Sequence, residues 1–215
     1  MFTGNDKFLA SELAEAIRFF ERKNWTPATS TNYSARSTEV PAHYLISRSG
    51  VDKSRFGTED LILINGKGDI HPGFQSPGVR SSAETGIHTA IYEKFPEINC
   101  VLHSHSVLAT TLSYAQLKNK KIAFEGLEIL KGLEGNETHE TQEFLPIVAN
   151  SQHIPEIIRA LMPFLEGERP IHGFLIAGHG LYAWGKDIPT AKRHIETFEF
   201  LFECYHTMRR QLWEC

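Results

Sequence analysis

Three histidines are the residues of this chain whose type and spacing are best suited to chemistry. His103 and His105 are separated by one residue within an apolar run. Side chains alternate along a strand, so both imidazoles point to the same face. His179 lies between two glycines, directly after a second apolar run at 174–177. Three imidazoles with an open fourth position are the usual ligand set of catalytic zinc. The pattern therefore predicts one zinc ion per chain, used as a Lewis acid.

A purely structural interpretation of these histidines has to be weighed as well. The chain contains 11 histidines in 215 residues, so a chance His-x-His pair is not unusual. An apolar strand is nevertheless a costly place to bury unpaired imidazoles. That cost favours a metal site over a purely structural role for the histidines.

A metal site of this kind needs a proton carrier beside it, and two glutamates are candidates. Glu84 opens a predicted helix shortly before the histidine pair. Glu128 is bracketed by apolar residues, and these would raise the pKa of its carboxyl if they buried it. Each glutamate is also compatible with a solvated or helix-capping role.

Three short polar turns have the composition of a site for an anion. They contain Asn32, Ser49 with Gly50, and Ser81 with Ser82. Hydroxyls, an amide and backbone N–H groups in such turns hold a phosphate, and a helix N-terminus adds to the attraction. Taken one at a time, each is also an ordinary turn.

The composition limits the classes of partner. The formal net charge is -4, with 41% hydrophobic and 22% charged residues. Such a balance is typical of a globular protein and argues against a general binder of nucleic acid or anionic membranes. No run reaches transmembrane length, and residues 1–6 lack a signal-peptide pattern. Cys100, Cys204 and Cys215 are an odd, widely spaced set that predicts no disulfide framework. We therefore expect a cytoplasmic protein.

The elements that must position these residues alternate along the chain. Helical spacing predicts a first helix capped near Asn5 or Asp6, a long last helix capped by Asp187, and three helices between them at about 83–94, 108–114 and 154–165. Strands are predicted at 44–47, 61–64, 101–106, 145–148 and 174–177. The alternation predicts a single α/β domain over residues 1–215, with some antiparallel pairing around 178–180. The aromatic face of the last helix is interpreted as core or subunit interface.

Several segments, taken in this order, resemble the class II aldolase/adducin superfamily from about Leu9 to Met208. They are Ser82–Thr85 followed by His88 and Thr89, then Val101–Ser106, Thr138–Glu140, Gly178–Gly185 and Phe198–Cys204. The combination is specific, although no single segment is. The resemblance implies a layered α/β fold with a central mixed, largely antiparallel sheet flanked by helices. It also implies a homotetramer with sites at the subunit interfaces.

The resemblance further implies roles for individual residues. It implies zinc ligands at His103, His105 and His179 and a catalytic acid/base at Glu128, while Glu84 stands where the aldolases place their catalytic glutamate. The phosphate pocket of the aldolases maps onto Asn32, Ser49, Gly50, Ser81 and Ser82. Thr31 replaces the glycine that the family carries before this asparagine.

The activity implied by the resemblance is a hydro-lyase reaction on a phosphorylated ketose. It is the zinc-dependent dehydration of 5-methylthioribulose 1-phosphate to 2,3-diketo-5-methylthiopentyl 1-phosphate in methionine salvage. The segments around Glu128 and His139 favour it over two sister activities, a class II sugar-phosphate aldolase and a pentulose-phosphate 4-epimerase. An adducin-like scaffold without activity is an alternative from another class, although such a scaffold has no need of three histidines. A cupin also offers His-x-His, but its all-β pattern does not suit the predicted helices.

Overall fold

One mixed sheet organises the protein, for which a computed structural model describes residues 2–213. Within these residues, eight strands lie in the order β3-β2-β1-β4-β8-β7-β6-β5. They are β1 (Tyr33–Arg36), β2 (His43–Ser47), β3 (Leu61–Asn65), β4 (Cys100–Ser104), β5 (Lys121–Phe124), β6 (Glu143–Val148), β7 (Gly173–Ile176) and β8 (Gly180–Gly185). Strands β6 and β7 are parallel, and the other neighbouring pairs are antiparallel. The predicted α/β fold with a largely antiparallel sheet is confirmed.

Five α-helices cover the two faces of this sheet. They are α1 (Gly4–Arg22), α2 (Thr85–Lys94), α3 (Val107–Gln116), α4 (Ile154–Leu165) and α5 (Ile188–Trp213). Apolar side chains of α1, α3 and α5 form one buried cluster with the sheet, and those of α2 and α4 form a second. Each fully buried Leu, Ile or Phe in these clusters stabilises the fold by roughly 1.5–3 kcal/mol.

The first residues of two helices differ from the sequence prediction. Helix α1 has Thr3 at its N-cap, so the predicted cap at Asn5 or Asp6 is wrong. The Asp6 carboxylate instead accepts a hydrogen bond from the backbone N–H of Thr38, 2.8 Å away, and ties the helix to the loop after β1. Helix α2 begins at Thr85 with Glu84 at its N-cap, two residues later than expected. The predicted cap of α5 is confirmed, because Asp187 Oδ1 lies 2.7 Å from Thr190 N.

Strand directions bring several chain segments to one end of the sheet, here called the histidine end. Strand β4 runs toward His103, antiparallel β8 begins beside it at Gly180, and parallel strands β7 and β6 both finish at this end. Strand β5 runs the other way, because Phe124 pairs with Glu143 at the start of β6. At about 3.3 Å per residue, the five steps of β6 separate the two ends by roughly 17 Å. Residues that follow β5 therefore start at the opposite end from the histidines.

The last helix and the cysteines are placed largely as expected. The face of α5 predicted as core is buried at Ile195, Phe198, Leu201 and Phe202. Cys100 is a buried free thiol and Cys204 a half-buried one, whereas Cys215 lies outside the described residues. Among the helices that the structure describes, none combines the length and apolar character needed to cross a membrane.

Candidate metal centre and active site

The three predicted histidines converge at the histidine end of the sheet. His103 Nε2 lies 2.7 Å from His105 Nε2 and 3.4 Å from His179 Nε2. The His103 ring stacks on the Tyr182 ring, with centroids 3.9 Å apart, because the β4–β8 register pairs these two residues. The Nδ1–H of His103 donates to Leu181 O at 2.9 Å, which leaves Nε2 as the nitrogen with a free lone pair.

The imidazoles of His103 and His105 are held in the neutral form that binds metals. Burial, reinforced by the charge of His105, keeps the pKa of His103 well below its usual range. Burial and the charge of His179 lower the pKa of His105 to about 4. A neutral imidazole offers a lone pair, whereas a protonated one does not.

The donor set matches a borderline divalent cation. One nitrogen from each of His103, His105 and His179 lies within 4.8 Å of the other two, so the group has the spacing of a metal site. The Nδ1 atom of His179 is buried without a hydrogen-bond partner, and its Nε2 faces the other two rings. Three imidazole nitrogens beside a carboxylate suit zinc better than magnesium or calcium, which prefer oxygen ligands. The residues present therefore fit the predicted metal.

Glu84 supplies the carboxylate at this cluster. Its Oε1 lies 3.1 Å from His179 Nε2, and its Oε2 lies 3.7 Å from His103 Nε2. Oε2 also accepts hydrogen bonds from Asn32 Nδ2 at 2.6 Å and from the Tyr182 hydroxyl at 3.0 Å. Glu84 is the N-cap residue of α2, and this position places its carboxylate beside His103 at the end of β4.

Opposing effects act on the pKa of Glu84. Burial favours the neutral acid and raises the pKa, but the hydrogen bond from His179, the electrostatic interaction with the His103 and His179 rings, and the Tyr182 hydroxyl together outweigh burial. The resulting pKa lies below the usual range of a carboxyl. Glu84 is therefore an ionised carboxylate, and its negative charge attracts a cation to the histidines.

A buried hydrogen-bond chain fixes the side chain that holds Glu84. Asn32 Oδ1 accepts from His88 Nε2, so its amide nitrogen must face Glu84. His88 Nδ1 lies 2.7 Å from Ser34 Oγ, which in turn lies 2.8 Å from the Tyr92 hydroxyl. Burial lowers the pKa of His88 to about 3, so the ring stays neutral. These residues on β1 and α2 fix the orientation of Asn32, and Asn32 in turn fixes Glu84.

Most of the predicted phosphate-binding residues surround one cavity of about 210 Å³ beside the histidines, here called the polar cavity. Its walls include the predicted Asn32, Ser49, Gly50 and Ser82, together with Thr29, Ser30, Thr31, Ser47, Arg48, Glu84, His105 and His179. Ser81 lies outside these walls but pairs with Arg48 through an isolated β-bridge. The structure thus brings together turns that are far apart in the chain, next to the three histidines.

Two features of the polar cavity differ from the sequence-based prediction. The Asn32 amide is engaged, since it donates to Glu84 and to Ser82 Oγ, so it positions Glu84 instead of offering a free donor. Arg48 is a cation that the sequence analysis did not select. Its Nε donates to Asp60 Oδ1 at 3.0 Å, and this ion pair holds the guanidinium at the cavity wall. No local pattern marks Arg48, because only the fold brings it to the site.

Glu128 lies away from this site within the same chain. It follows β5 and is therefore at the end of the sheet opposite the histidines. Its side chain is 70% exposed, is paired with Lys131, and has His139 Nδ1 at 3.7 Å. The hydrogen bond from Lys131 lowers the pKa of Glu128. The apolar neighbours of Glu128 do not bury its carboxyl in the single chain, because Leu130 turns into the core while Glu128 turns outward.

Comparison with known proteins agrees with this geometry. Residues 11–206 match the model of the Class II Aldolase and Adducin N-terminal domain. The chain belongs to the class II aldolase and adducin family. It is 46% identical over 192 residues to a methylthioribulose-1-phosphate dehydratase of Picosynechococcus sp., covering 89% of this chain and 88% of that protein. It is 41% identical to a methylthioribulose-1-phosphate dehydratase of Marinobacter nauticus, covering 93% of this chain and 94% of the relative.

Solved structures of the family share the fold. An L-fuculose 1-phosphate aldolase superimposes with a TM-score of 0.76 at 18% identity, covering 98% of this chain and 89% of the aldolase. The L-fuculose-1-phosphate aldolase of Thermus thermophilus gives a TM-score of 0.70 at 22% identity, with 97% of each chain covered. The predicted membership in this family is confirmed.

Two residues that contact the site were not assigned a role by the sequence analysis. Tyr182 stacks on His103 and donates to Glu84, and His88 orients Asn32. Both lie in segments that carry the family resemblance, but nothing local in the sequence indicates these contacts. They depend on the register of β8 against β4 and on the packing of α2 against β1.

Proposed function

We propose that this protein is a zinc-dependent methylthioribulose-1-phosphate dehydratase, a hydro-lyase of methionine salvage. The observation that carries the proposal is the convergence of three imidazole nitrogens beside Glu84 and the polar cavity. The identity of 41–46% to relatives named as this dehydratase over about nine-tenths of the chain supports the same substrate. We place the protein in the cytoplasm, in line with its composition.

The polar cavity binds the phosphate of the substrate in this proposal. Ser82 Oγ accepts hydrogen bonds from Asn32 and from the Glu84 backbone, which leaves its own proton free to donate. Gly50 has a φ of 77°, the left-handed conformation that turns successive backbone N–H groups toward an anion. Arg48 supplies positive charge at the wall. Binding energy at this remote group fixes the reacting carbons in place.

His103, His105 and His179 hold the zinc ion, and Glu84 lies beside them with its charge fixed by Asn32 and Tyr182. A zinc ion in this position supplies Lewis-acid chemistry to the oxygens of the substrate. Tyr182 also keeps His103 in place by stacking on its ring.

Glu128 is the proton carrier in this proposal, and it acts on the site of a neighbouring subunit. Its position at the far end of the sheet keeps it from the histidines of its own chain. Its exposure leaves it accessible to another copy. The protein accordingly works as a homo-oligomer, which we propose to be a tetramer with sites between subunits.

The reaction breaks two bonds of the substrate and releases one water. The Glu128 carboxylate takes the proton from C3 and returns it to the C4 hydroxyl, which departs as water. The electron pair of the C3–H bond forms the C3–C4 double bond as the C4–O bond breaks. The enol that remains becomes a diketone by moving its proton to carbon.

A parallel assay of two substrates tests the proposed function. The zinc-loaded protein is incubated with methylthioribulose 1-phosphate and, separately, with fuculose 1-phosphate, and the products are identified by mass spectrometry. We expect loss of one water from the first substrate and no cleavage of the second. Cleavage of fuculose 1-phosphate into two fragments, without dehydration of the other ketose, would establish an aldolase instead. A protein inactive on both would favour the scaffold alternative.

A further inference from the structure

A second cavity adjoins the histidines, and none of the phosphate-binding turns lines it; it is here called the apolar cavity. It has a volume of about 430 Å³ and shares His105 and His179 with the polar cavity. Its other walls are formed by Pro27, Val107, Thr110, Thr111, Asn150 and Gly178. The proposed function leaves this cavity without an occupant.

The two threonines present mainly methyl groups to the cavity. Thr110 Oγ1 donates to the His179 carbonyl at 2.8 Å, and Thr111 Oγ1 donates to the Val107 carbonyl at 2.8 Å. Because both hydroxyls are engaged by backbone, the wall offers a ligand little hydrogen bonding from these residues. With the exception of the shared histidines, the walls of this cavity carry no ionisable side chain.

Val107 adds an apolar group at the mouth of the cavity. It is the first residue of α3, and 76% of it is exposed. The hydroxyl of Ser106 caps this helix by accepting from Ala109 N at 2.9 Å, so the position of Val107 two residues beyond His105 is fixed. An exposed isopropyl group that is held rigidly beside metal ligands gains free energy when an apolar ligand group covers it.

The shape of the proposed substrate matches the two cavities. Its phosphate is on C1, its methylthio group is on C5, and the bonds that change lie between them. From ordinary C–C bond lengths, C1 and C5 are roughly 5 Å apart in an extended chain. The rings of His105 and His179, which belong to both cavities, have centroids 4.5 Å apart. A pentulose with its phosphate in the polar cavity is therefore long enough for C5 to pass the two histidines and reach the apolar cavity.

We propose that the apolar cavity binds the methylthio group of the substrate and that Val107 determines the preference for it. This inference rests on the proposed function, since it assigns the far end of that substrate. A thioether is apolar and polarisable, so it gains from contact with methyl groups and from release of water. Apolar contact with Val107 and the threonine methyl groups gives the discrimination, which limits the preference to what one or two carbon-sized groups contribute.

The test compares two substrates that differ only at C5. Methylthioribulose 1-phosphate carries the methylthio group, and 5-deoxyribulose 1-phosphate has hydrogen in its place. The variant Val107→Asn makes the cavity wall polar without adding charge near the histidines. The matched control is Phe8→Asn, since Phe8 is also exposed (75%) but lies on α1, outside both cavities. Melting temperature and zinc content are measured for each protein.

We expect Val107→Asn to raise the KM for methylthioribulose 1-phosphate roughly tenfold and to leave the KM for the deoxy substrate within about twofold. Phe8→Asn should change neither KM. Equal changes on both substrates, or no change on either, would overturn the assignment of the cavity while leaving the dehydratase proposal in place. A wild-type protein that dehydrates neither substrate would overturn the proposed function and this inference with it.

Discussion

The Asn32 amide holds the Glu84 carboxylate beside the histidine cluster, with Nδ2 2.6 Å from Oε2. His88 fixes the orientation of that amide from the other side. Glu84 is therefore buried, ionised and bonded, whereas Glu128 is exposed at the opposite end of the sheet. The two glutamates occupy different environments, so replacing each with glutamine should have different consequences.

Glu128→Gln should impair proton transfer without impairing folding. An amide is nearly the same size as the carboxylate but does not titrate in the working range, so kcat should fall about 10²–10⁴-fold. Zinc content and oligomeric state should be unchanged.

Glu84→Gln should lose less in kcat but bind zinc more weakly, because it removes a charge 3.1 Å from His179. Steady-state kinetics and metal analysis check both, with Glu125→Gln, an exposed glutamate nearby, as control. Near-normal turnover by Glu128→Gln with inactive Glu84→Gln would reassign the proton carrier.

Mixing subunits tests whether Glu128 acts on a neighbouring site. Glu128→Gln keeps the metal ligands, and His105→Ala keeps Glu128, so each variant alone is inactive. In a randomly mixed oligomer, about one site in four combines intact histidines with an intact Glu128 from the neighbour. Activity should therefore return when the two variants are co-expressed. Failure to recover any activity in proven mixed oligomers would contradict the shared site.

His105→Ala should remove a metal ligand and lower zinc affinity severely. Its Nε2 is 2.7 Å from that of His103 and belongs to the cluster of three. His153→Ala is the matched control, since His153 is exposed and lies outside the cluster. Zinc per chain, measured by inductively coupled plasma mass spectrometry after dialysis, should fall far below one in the first variant only. Retention of stoichiometric zinc with normal activity would show that the ligand is misassigned.

Glu199→Gln should change the pH dependence of stability. Burial raises the pKa of Glu199 from 4.5 to about 7, although Ser106 and Ser104 donate to it. A carboxyl whose pKa is raised by folding stabilises the folded state at pH values below its pKa in the unfolded chain. That contribution is lost as the pH rises through the folded-state pKa of about 7. Glutamine stays neutral, so at pH 8 the variant should gain about 2–3 kcal/mol in unfolding free energy over the wild type.

Denaturant unfolding of wild type and Glu199→Gln at pH 5 and pH 8, at one protein concentration, measures this difference. At pH 5 the difference should shrink to about 1 kcal/mol or less, because the carboxyl stays protonated in the fold and is only partly ionised in the unfolded chain. Glu93→Gln, exposed on α2, serves as the control, and its difference from the wild type should not depend on pH. A constant offset of Glu199→Gln at both pH values would contradict the raised pKa.

Thr31 occupies a backbone conformation that favours glycine. Its φ is 72°, and a β-branched residue in this region costs about 1 kcal/mol or more. Thr31→Gly and Thr31→Ala both lose the hydrogen bond from the Tyr33 hydroxyl, which lies 2.8 Å from Oγ1. The glycine variant should therefore be more stable than the alanine variant by about 1 kcal/mol, as measured by denaturant unfolding. The reverse order would show that the unfolded chain, with its freer glycine, dominates.

Local patterns in the sequence predict the metal ligands and most of the elements. The period of two identifies His103 and His105 as a same-face pair, and glycines mark the turn at His179. The amphipathic helix Ile154–Leu165 has the predicted bounds. Its buried residues Ile157, Leu161 and Leu165 recur at helical spacing, and this spacing is visible in the sequence. These features depend on neighbours close in the chain, which is why they can be predicted from sequence.

Contacts that depend on strand pairing between distant parts of the chain cannot be predicted from such patterns. The β4–β8 register places Tyr182 on His103, and an isolated β-bridge places Arg48 beside Ser81. The direction of β5 relative to β6 decides that Glu128 leaves the sheet at the far end. No spacing along the chain encodes that direction. The apolar residues around Glu128 look like a buried segment in sequence, yet the carboxylate itself turns outward.

The proposed action of Glu128 on a neighbouring site would link turnover to the amount of protein present. With the histidines at one end of the sheet and this carboxylate at the other, a lone chain would hold two half-sites and complete neither. Dilution below the dissociation constant of the proposed assembly would then silence the enzyme without unfolding it. Specific activity would become a function of subunit concentration, so the abundance of the chain would set the flux per molecule as well as the number of molecules.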